Sequence, residues 1–190
     1  GAPPQFHAVV PCAGVGARSG AAGPKQYAPL AGRPLVAYTL DALDRVARLA
    51  SVTVVLSPED ALELGKQVIE GLVHLHAQGF HHCDIKPRNL LWTQKGAKII
   101  DFNVSVRADD KESRGGGSRR YLPPDFDPEV IPHNGERADR DLYALGLTLY
   151  EALTARYPWD TTEPPINKPA PDPRELSGFA DLAPELVNVV

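Results

Sequence analysis

The sequence predicts an α/β fold in which an N-terminal βαβ unit precedes a mainly helical region. Two observations support this prediction. A glycine-rich loop lies between two short β-branched runs near the N-terminus, and two long segments after residue 57 have apolar residues at helical spacing. The chain has 190 residues, enough for one large domain or two small ones. We therefore expect two units, at 1–60 and 61–190.

The composition is that of an ordinary globular protein, with 43% hydrophobic and 23% charged residues. The net charge is −4, so no basic field favours nucleic acid. No apolar run approaches the ~20 residues of a membrane-spanning helix, and the N-terminus lacks a signal-peptide pattern. Cys12 and Cys83 stand in unrelated contexts, which is typical of reduced thiols. We expect a cytoplasmic protein that binds neither nucleic acid nor membrane.

The N-terminal unit is predicted from two strand-like runs and one helix-like run. FHAVVP (6–11) and SVTVVLS (51–57) are short, apolar and β-branched, as buried strands are. Between them, apolar residues at helical spacing run to Leu49, and Pro34 suits the first turn of a helix. A strand, loop, helix and strand in this order favour a parallel pair with a right-handed crossover.

The second unit is predicted to be mainly helical. A long helix begins at Ser57 or Asp60, which suit an N-cap, and ends near Gly79. NLLWT and AKIIDF predict two short strands around a turn, whereas DRDLYALGLTLYEALTA and DLAPELVNVV predict helices. Residues 107–120 are charged and glycine-rich, so we expect them to be the least ordered internal segment.

The loop after the first strand has the composition of a phosphate-binding loop, since glycine and free backbone N–H groups allow close approach to phosphate. It matches neither the dinucleotide fingerprint nor the P-loop, because Ser19 takes the sixth position of the former and Gln26 follows Lys25. Two cations beside the glycines are suited to neutralise a triphosphate. The candidate nucleotide-binding residues are Ala13, Gly14, Gly16, Arg18 and Lys25.

The stretch VVPCAGVGARSGAAGPKQYAPLAGRPLVAYTLDAL resembles the N-terminus of methylerythritol phosphate cytidylyltransferases, from about residue 6 to 60. Its glycines, Arg18, and the PKQ and GRP triplets fall in register with that family. The resemblance implies that the loop binds CTP through Arg18 and Lys25. Members of the family are longer, and nothing after Asp60 continues their pattern.

A second group of residues has the spacing of a phosphoryl-transfer site. HCDIKPRN provides Asp84 and Asn89, and DFN provides Asp101 twelve residues further on. In such sites one carboxylate orients the hydroxyl, and Asn and Asp hold magnesium. The arrangement resembles the H-R-D-x-x-x-x-N and D-F-G motifs of protein kinases. The resemblance implies that Asp84 is the base, that Lys86 contacts the transferring phosphate, and that Asn89 and Asp101 bind Mg²⁺.

Further segments resemble the C-terminal lobe of bacterial serine/threonine-type protein kinases, from about residue 62 to Trp159 and more weakly to the end. GSRRYLPPDF stands where such kinases close the activation loop, and Asp141 stands where an aspartate anchors the catalytic-loop backbone. Cys83 replaces the arginine that pairs with a phosphorylated loop, so we expect no such switch here. Asn103 replaces the glycine of D-F-G.

No glycine-rich lid and no lysine–glutamate pair of the kinase small lobe matches the sequence before the catalytic loop. Two partial units joined near 57–64 without a linker predict a chimera-like nucleotide-binding protein. It would carry a partial CTP loop and a partial kinase-type site, bind ATP or CTP, use Mg²⁺ if active, and show little or no turnover. The alternatives are a serine/threonine-type protein kinase and a cytidylyltransferase of isoprenoid precursor synthesis. We expect the apolar surface of each unit to be buried against the other or in a homo-oligomer.

The second unit also contains a histidine-rich stretch, with His74, His76, His81 and His82 followed by Cys83. His74 and His76 are two residues apart, so they do not share a helix face. His82 corresponds to the packing histidine of the catalytic loop. The pattern therefore argues against a metal site in this stretch.

Overall fold

A computed structural model describes residues 6–12, 26, 28–93, 95–110, 116–126, 134–176, 179–182 and 184–187. The five candidate nucleotide-binding residues of the glycine loop lie outside this part of the chain, as do residues 111–115 of the segment expected to be least ordered. The elements are β1 (Phe6–Pro11), β2 (Pro29–Leu30), β3 (Arg33–Pro34), α1 (Leu35–Asp44), β4 (Leu49–Val55), α2 (Pro58–Ala77), β5 (Phe80–His81), β6 (Leu90–Thr93), β7 (Gly96–Ile99), β8 (Val106–Arg107), α3 (Asn134–Thr154) and α4 (Pro184–Val187).

The first unit contains the predicted parallel strand pair. β1 pairs with β4 in parallel, with Ala8 opposite Val52, and α1 lies in the connection between them. The helix is shorter than predicted, because it ends at Asp44 and Leu49 already begins β4. Two tight turns cause this, since the Val46 N–H donates to the Leu43 carbonyl and the Leu49 N–H to the Val46 carbonyl. The chain thereby returns to the sheet sooner than the apolar pattern indicates.

The long helix α2 has the predicted ends. Ser57 is its N-cap, and the Ser57 hydroxyl accepts the Asp60 N–H at 3.1 Å. Pro58 occupies the first turn, where a missing N–H costs nothing. Beyond the other end, Gly79 has φ +77° and lets the chain reverse into β5.

The main core lies between α2 and α3. Leu64, Val68 and Leu72 of α2 pack with Leu145 and Leu149 of α3. The apolar face of α2 is therefore covered by α3 rather than by the β1–β4 pair. The first unit is joined to this core at the end of β4, where the Leu56 N–H donates to the Ala152 carbonyl of α3 at 2.8 Å.

Part of the apolar surface of the N-terminal βαβ segment is exposed and is not buried against the rest of the described chain, which differs from the expectation. Phe6, Val9 and Leu30 are each more than half exposed. Homo-oligomerisation through such surface stays a prediction. In the part of the chain that the structure describes, every helix is too short or too polar to cross a membrane.

Two small antiparallel sheets frame the candidate catalytic loop, residues 81–91. β5 pairs with β8 on one side, with His81 opposite Val106. β6 pairs with β7 on the other side, with Leu90 opposite Ile99. Both ends of the loop are thus fixed to strands. For the C-terminal end, the two strands predicted from NLLWT and AKIIDF are β6 and β7.

Candidate active site

The carboxylate of Asp84 is the centre of the hydrogen-bonded cluster in the catalytic loop. Asp84 Oδ2 accepts Lys86 Nζ at 2.6 Å and Asn89 Nδ2 at 3.2 Å. Asp84 Oδ1 accepts the backbone N–H of Ser118 at 2.8 Å. Both oxygens are therefore held in place, and three of the four predicted catalytic residues, Asp84, Lys86 and Asn89, lie in direct contact.

Asn89 is positioned by a short 3₁₀ turn, Pro87–Asn89, that closes with the Asn89 N–H on the Lys86 carbonyl at 2.9 Å. Proline at the start of this turn supplies the φ that the turn needs. The buried Asn89 side chain donates through Nδ2 to the Asp84 carbonyl at 2.8 Å as well as to its carboxylate. Because the amide nitrogen points toward Asp84, the amide oxygen is the group left to bind a cation.

The backbone before Asp84 is anchored by Asp141 of α3, as the resemblance to kinases implies. Asp141 is buried, and its two oxygens accept the N–H groups of His82 at 2.9 Å and Cys83 at 2.7 Å. Cys83 has φ +66°, a conformation that costs a non-glycine residue on the order of 1–3 kcal/mol. The two hydrogen bonds to a buried carboxylate stabilise this strained turn directly before the catalytic aspartate candidate.

His82 ties the catalytic loop to the D-F-N segment. Its Nε2 donates to the Ile100 carbonyl at 3.0 Å, and its Nδ1 accepts the Asp84 N–H at 3.3 Å. Both bonds require the same tautomer, with the proton on Nε2. The ring also packs edge-to-face on Phe102, with centroids 4.9 Å apart. The packing role predicted for His82 is thus observed.

Asp101, the fourth predicted catalytic residue, is exposed and has φ +65°. It follows Ile100, whose N–H donates to the Asn89 carbonyl at 2.9 Å. The two predicted magnesium ligands therefore lie on neighbouring, hydrogen-bonded backbones. Asp101 is a second non-glycine residue with positive φ beside the site, which is where such strain is typically found.

Ser118 is a site residue that the motif analysis did not single out. Its hydroxyl accepts Lys86 Nζ at 2.8 Å while its N–H binds Asp84. The preceding Gly117 has φ +138°, and a Cβ there would lie 2.5 Å from the Cys83 carbonyl. The signal was present in GSRRY, because a glycine followed by a hydroxyl residue permits this close approach.

The residues after Ser118 are fixed to α3 by a polar cluster. Arg120 Nη2 donates to Glu151 Oε1 at 2.7 Å, and the Tyr121 hydroxyl donates to the other oxygen of Glu151. Arg120 also stacks on Tyr157, 3.7 Å from the ring centroid. Burial, together with the hydrogen bond to Glu151, raises the pKa of Tyr121. The cluster holds one wall of the site against the main core.

The Asp84 carboxyl is ionised more readily than an ordinary aspartate. Burial raises the pKa of Asp84, but the hydrogen bonds from Lys86 and Ser118 and the charge of Lys86 outweigh burial and place the pKa below its usual value. The carboxylate therefore stays charged at neutral pH, and in this form both of its oxygens are hydrogen-bond acceptors.

These contacts lie in the segment whose motifs resemble the catalytic loop of protein kinases. The protein kinase domain model matches residues 37–172, which is more than half of the chain, and the chain belongs to the protein kinase domain family. This confirms the kinase resemblance of the catalytic loop. The match begins inside α1, upstream of the predicted join near 57–64, and the chimera-like division stays a prediction.

Individual relatives match parts of the chain. Serine/threonine-protein kinase ppk11 of Schizosaccharomyces pombe is 35% identical over 127 residues, covering 62% of this chain and 39% of that protein. Mitogen-activated protein kinase kinase kinase 17 of Arabidopsis thaliana is 33% identical over 107 residues, covering 54% and 28%. The bifunctional enzyme IspD/IspF of Albidiferax ferrireducens is 53% identical over 58 residues, covering 30% and 14%, which is consistent with the N-terminal resemblance. The chain thus spans well under half the length of each.

Proposed function

We propose that the chain carries one half of a serine/threonine-type kinase site, the half that orients the acceptor hydroxyl and binds the metal ion. A site of this type transfers the γ-phosphate of ATP to a substrate hydroxyl. The observation that carries this proposal is the Asp84 carboxylate, held by Lys86 at 2.6 Å and by the Ser118 N–H at 2.8 Å. Phosphoryl transfer depends on positioning and electrostatics, so a fixed carboxylate beside a fixed cation is the arrangement it needs.

The roles follow from the chemistry of each group. Asp84 accepts the hydrogen bond of the attacking hydroxyl, and Lys86 neutralises the phosphate as it moves toward that oxygen. The Asn89 amide oxygen and the Asp101 carboxylate are hard oxygen donors of the kind that Mg²⁺ prefers. Bound Mg²⁺ would neutralise charge on the phosphates. The proposed substrates are therefore ATP and a hydroxyl-bearing acceptor.

The expectation of little or no turnover rests on the residues before the catalytic loop and not on the loop itself. Lys86 and Asn89 both already contact the Asp84 carboxylate. The described geometry therefore supports the phosphotransferase alternative, and the expectation of little or no turnover stays a prediction.

The test is Mg²⁺-ATP turnover by the full chain with a generic serine/threonine substrate. Asp84→Asn should lower the rate at least about 100-fold, the range typical of a lost acid–base group. Asp160→Asn, at an exposed aspartate, is the matched control and should keep the parent rate. Equal rates in the parent and Asp84→Asn, or a parent that binds ATP without turning it over, would refute the proposal.

A second candidate function, triphosphate binding by the N-terminal loop, is favoured by the parallel β1–β4 pair and the 53% identical stretch. Arg18 and Lys25 would supply the charge-assisted contacts, each on the order of 1.5–3 kcal/mol. Lys25→Ala should then weaken CTP and ATP binding alike, as measured by thermal shift with each nucleotide and magnesium. If Asp101→Asn weakens ATP binding and Lys25→Ala does not, the kinase-type site is the nucleotide site.

A further inference from the structure

Three side chains with metal-ligating atoms converge behind the catalytic loop. They are His76 near the end of α2, His81 in β5 and Asp141 in α3, and their ligand atoms all lie within 4.8 Å of one another. His76 Nε2 is 2.9 Å from Asp141 Oδ2, and the two imidazole rings lie 4.8 Å apart at 46°. His81 and Asp141 are buried, whereas the His76 side chain is 21% exposed.

The fold builds this cluster from three separate elements. Gly79, with φ +77°, reverses the chain between α2 and β5, which brings His76 and His81 onto facing sides of one turn. The pairing of β5 with β8 fixes His81, opposite Val106. Asp141 arrives from α3, 60 residues further along the chain than His81, so no local spacing in the sequence reveals the set.

We propose that His76, His81 and Asp141 form a binding site for Zn²⁺ or a similar transition-metal ion, distinct from the magnesium ligands of the phosphotransfer site. Imidazole nitrogen and carboxylate oxygen are ordinary zinc ligands, whereas the oxygen-only set of Asn89 and Asp101 suits magnesium. Three protein ligands leave a fourth position for water, and the His76 side chain is 21% exposed.

The distances allow such a site after small rotations of the two imidazole rings, with the Asp141 carboxylate staying in place. Tetrahedral zinc with bonds of about 2.0–2.2 Å requires ligand atoms roughly 3.4 Å apart. The distance of 2.9 Å from His76 Nε2 to Asp141 Oδ2 is slightly shorter than this ideal separation. The upper bound of 4.8 Å on the distances among the three ligand atoms is longer. A metal ion at the centre would lengthen the distance between His76 Nε2 and Asp141 Oδ2 and would shorten the longest distance among the three ligand atoms.

The proton balance is simple. Without metal, His76 Nε2–H donates to Asp141 Oδ2. Coordination needs the Nε2 lone pair, so the neutral ring carries its proton on Nδ1 instead. Asp141 Oδ1 keeps its hydrogen bond from the Cys83 N–H at 2.7 Å, and Oδ2 keeps the one from the His82 N–H at 2.9 Å while the metal replaces the His76 N–H at Oδ2. No redox or covalent step is involved.

The experiment titrates the full chain with Zn²⁺ by calorimetry and with Co²⁺ by visible absorption. The parent should bind one ion, and Co²⁺ should give the bands of tetrahedral nitrogen–oxygen ligation. His81→Leu removes a ligand but keeps a buried apolar volume, and His76→Gln keeps a donor to Asp141 but offers no ligand nitrogen. Each should weaken zinc binding by at least about 100-fold, the upper end of the loss from removing an outer-shell partner.

His74→Ala is the matched control, because His74 lies on the same helix, two residues from His76, and is exposed. It should keep the parent affinity. The proposal fails if the parent shows no saturable binding, if His74→Ala weakens it as much as His81→Leu, or if Co²⁺ gives the near-ultraviolet band of a thiolate ligand. Zinc-induced shifts of the His76 and His81 ring signals in the parent test the site without any variant, and unshifted rings would also overturn it.

Discussion

The backbone N–H of Cys83 donates to Asp141 Oδ1 at 2.7 Å, across 58 residues of sequence. The other carboxylate oxygen accepts the His82 N–H at 2.9 Å. One buried side chain of α3 thereby satisfies two consecutive backbone donors in a turn where Cys83 has φ +66°. The position of Asp84 depends on this turn, so the helical core and the candidate active site are coupled through Asp141.

Asp141→Ala should therefore destabilise the protein strongly. It leaves two buried N–H groups without an acceptor, and each costs about 1–3 kcal/mol. We expect a loss of about 2–5 kcal/mol in the free energy of unfolding, measured by urea denaturation. Asp139→Ala is the control, since Asp139 is an exposed aspartate on the same helix. Similar losses in both variants would show that the anchor contributes little.

Gly117→Ala should disrupt the site through a direct clash. A Cβ at this position would lie 2.5 Å from the Cys83 carbonyl, and the backbone φ of +138° also disfavours any side chain. Gly79→Ala is the matched control, because Gly79 has φ +77° but a Cβ there would meet no atom within 4 Å. In the control, backbone strain alone should lower the free energy of unfolding, by about 1–2 kcal/mol. Gly117→Ala should lose more unfolding free energy than Gly79→Ala and should also lose the Asp84–Ser118 contact, which would change the NMR signal of the Ser118 amide. Equal losses of unfolding free energy in the two variants would contradict the predicted clash.

Local patterns in the sequence predicted most of the elements correctly. The Ser57 cap, the stop near Gly79 and the hairpin after Asn89 depend on residues close together in the chain, and the parallel pair was predicted from the order of strand, loop, helix and strand. The end of α1 was missed, because apolar residues continue at helical spacing to Leu49 while the backbone turns back to the sheet. Two local turns, closed by the Val46 and Leu49 N–H groups, set that boundary, and periodicity alone does not report them.

The contacts of the candidate site were predictable where a motif places its residues close together, and the roles of those residues stay predictions. Asp84, Lys86 and Asn89 stand within six residues of one another, and the structure brings them into contact. Ser118 and the His76–His81–Asp141 cluster were missed, since their partners lie 32 to 65 residues apart in the sequence. Such contacts depend on how α2, β5 and α3 pack, which only the folded chain specifies.

Asp84 should contribute to the way the free energy of unfolding falls at acidic pH. Its pKa is lower in the folded protein than the ordinary value of about 3.9, because Lys86 and Ser118 stabilise the carboxylate. A lowered pKa gives stability that is present above the unfolded pKa and is lost as the pH falls through the folded one. The difference in unfolding free energy between the parent and Asp84→Asn should therefore be constant from about pH 7 to 5 and shrink below about pH 4. A difference that is the same at pH 3 and pH 7 would contradict this.

The contact between Gly65 and Leu149 should appear as coupling in a double-mutant cycle. Leu149 is fully buried between α2 and α3, and a Cβ on Gly65 would lie 3.0 Å from its Cδ1 atom. Leu149→Ala alone should cost about 2–5 kcal/mol. Gly65→Ala alone gains about 1 kcal/mol of helix propensity but loses part of it to this close contact.

With Leu149→Ala already present, the contact is gone and Gly65→Ala should recover its full gain. The double variant should then be more stable than the sum of the single changes by about 0.5–1 kcal/mol, measured by urea denaturation. Gly71→Ala is the matched control on the same helix, because its Cβ would meet Ile99 at 3.2 Å rather than Leu149. The effects of Gly71→Ala and Leu149→Ala on the free energy of unfolding should be additive. If both pairs show coupling of equal size, α2 shifts as a whole. The close contact at Gly65 would then not be the cause of the coupling.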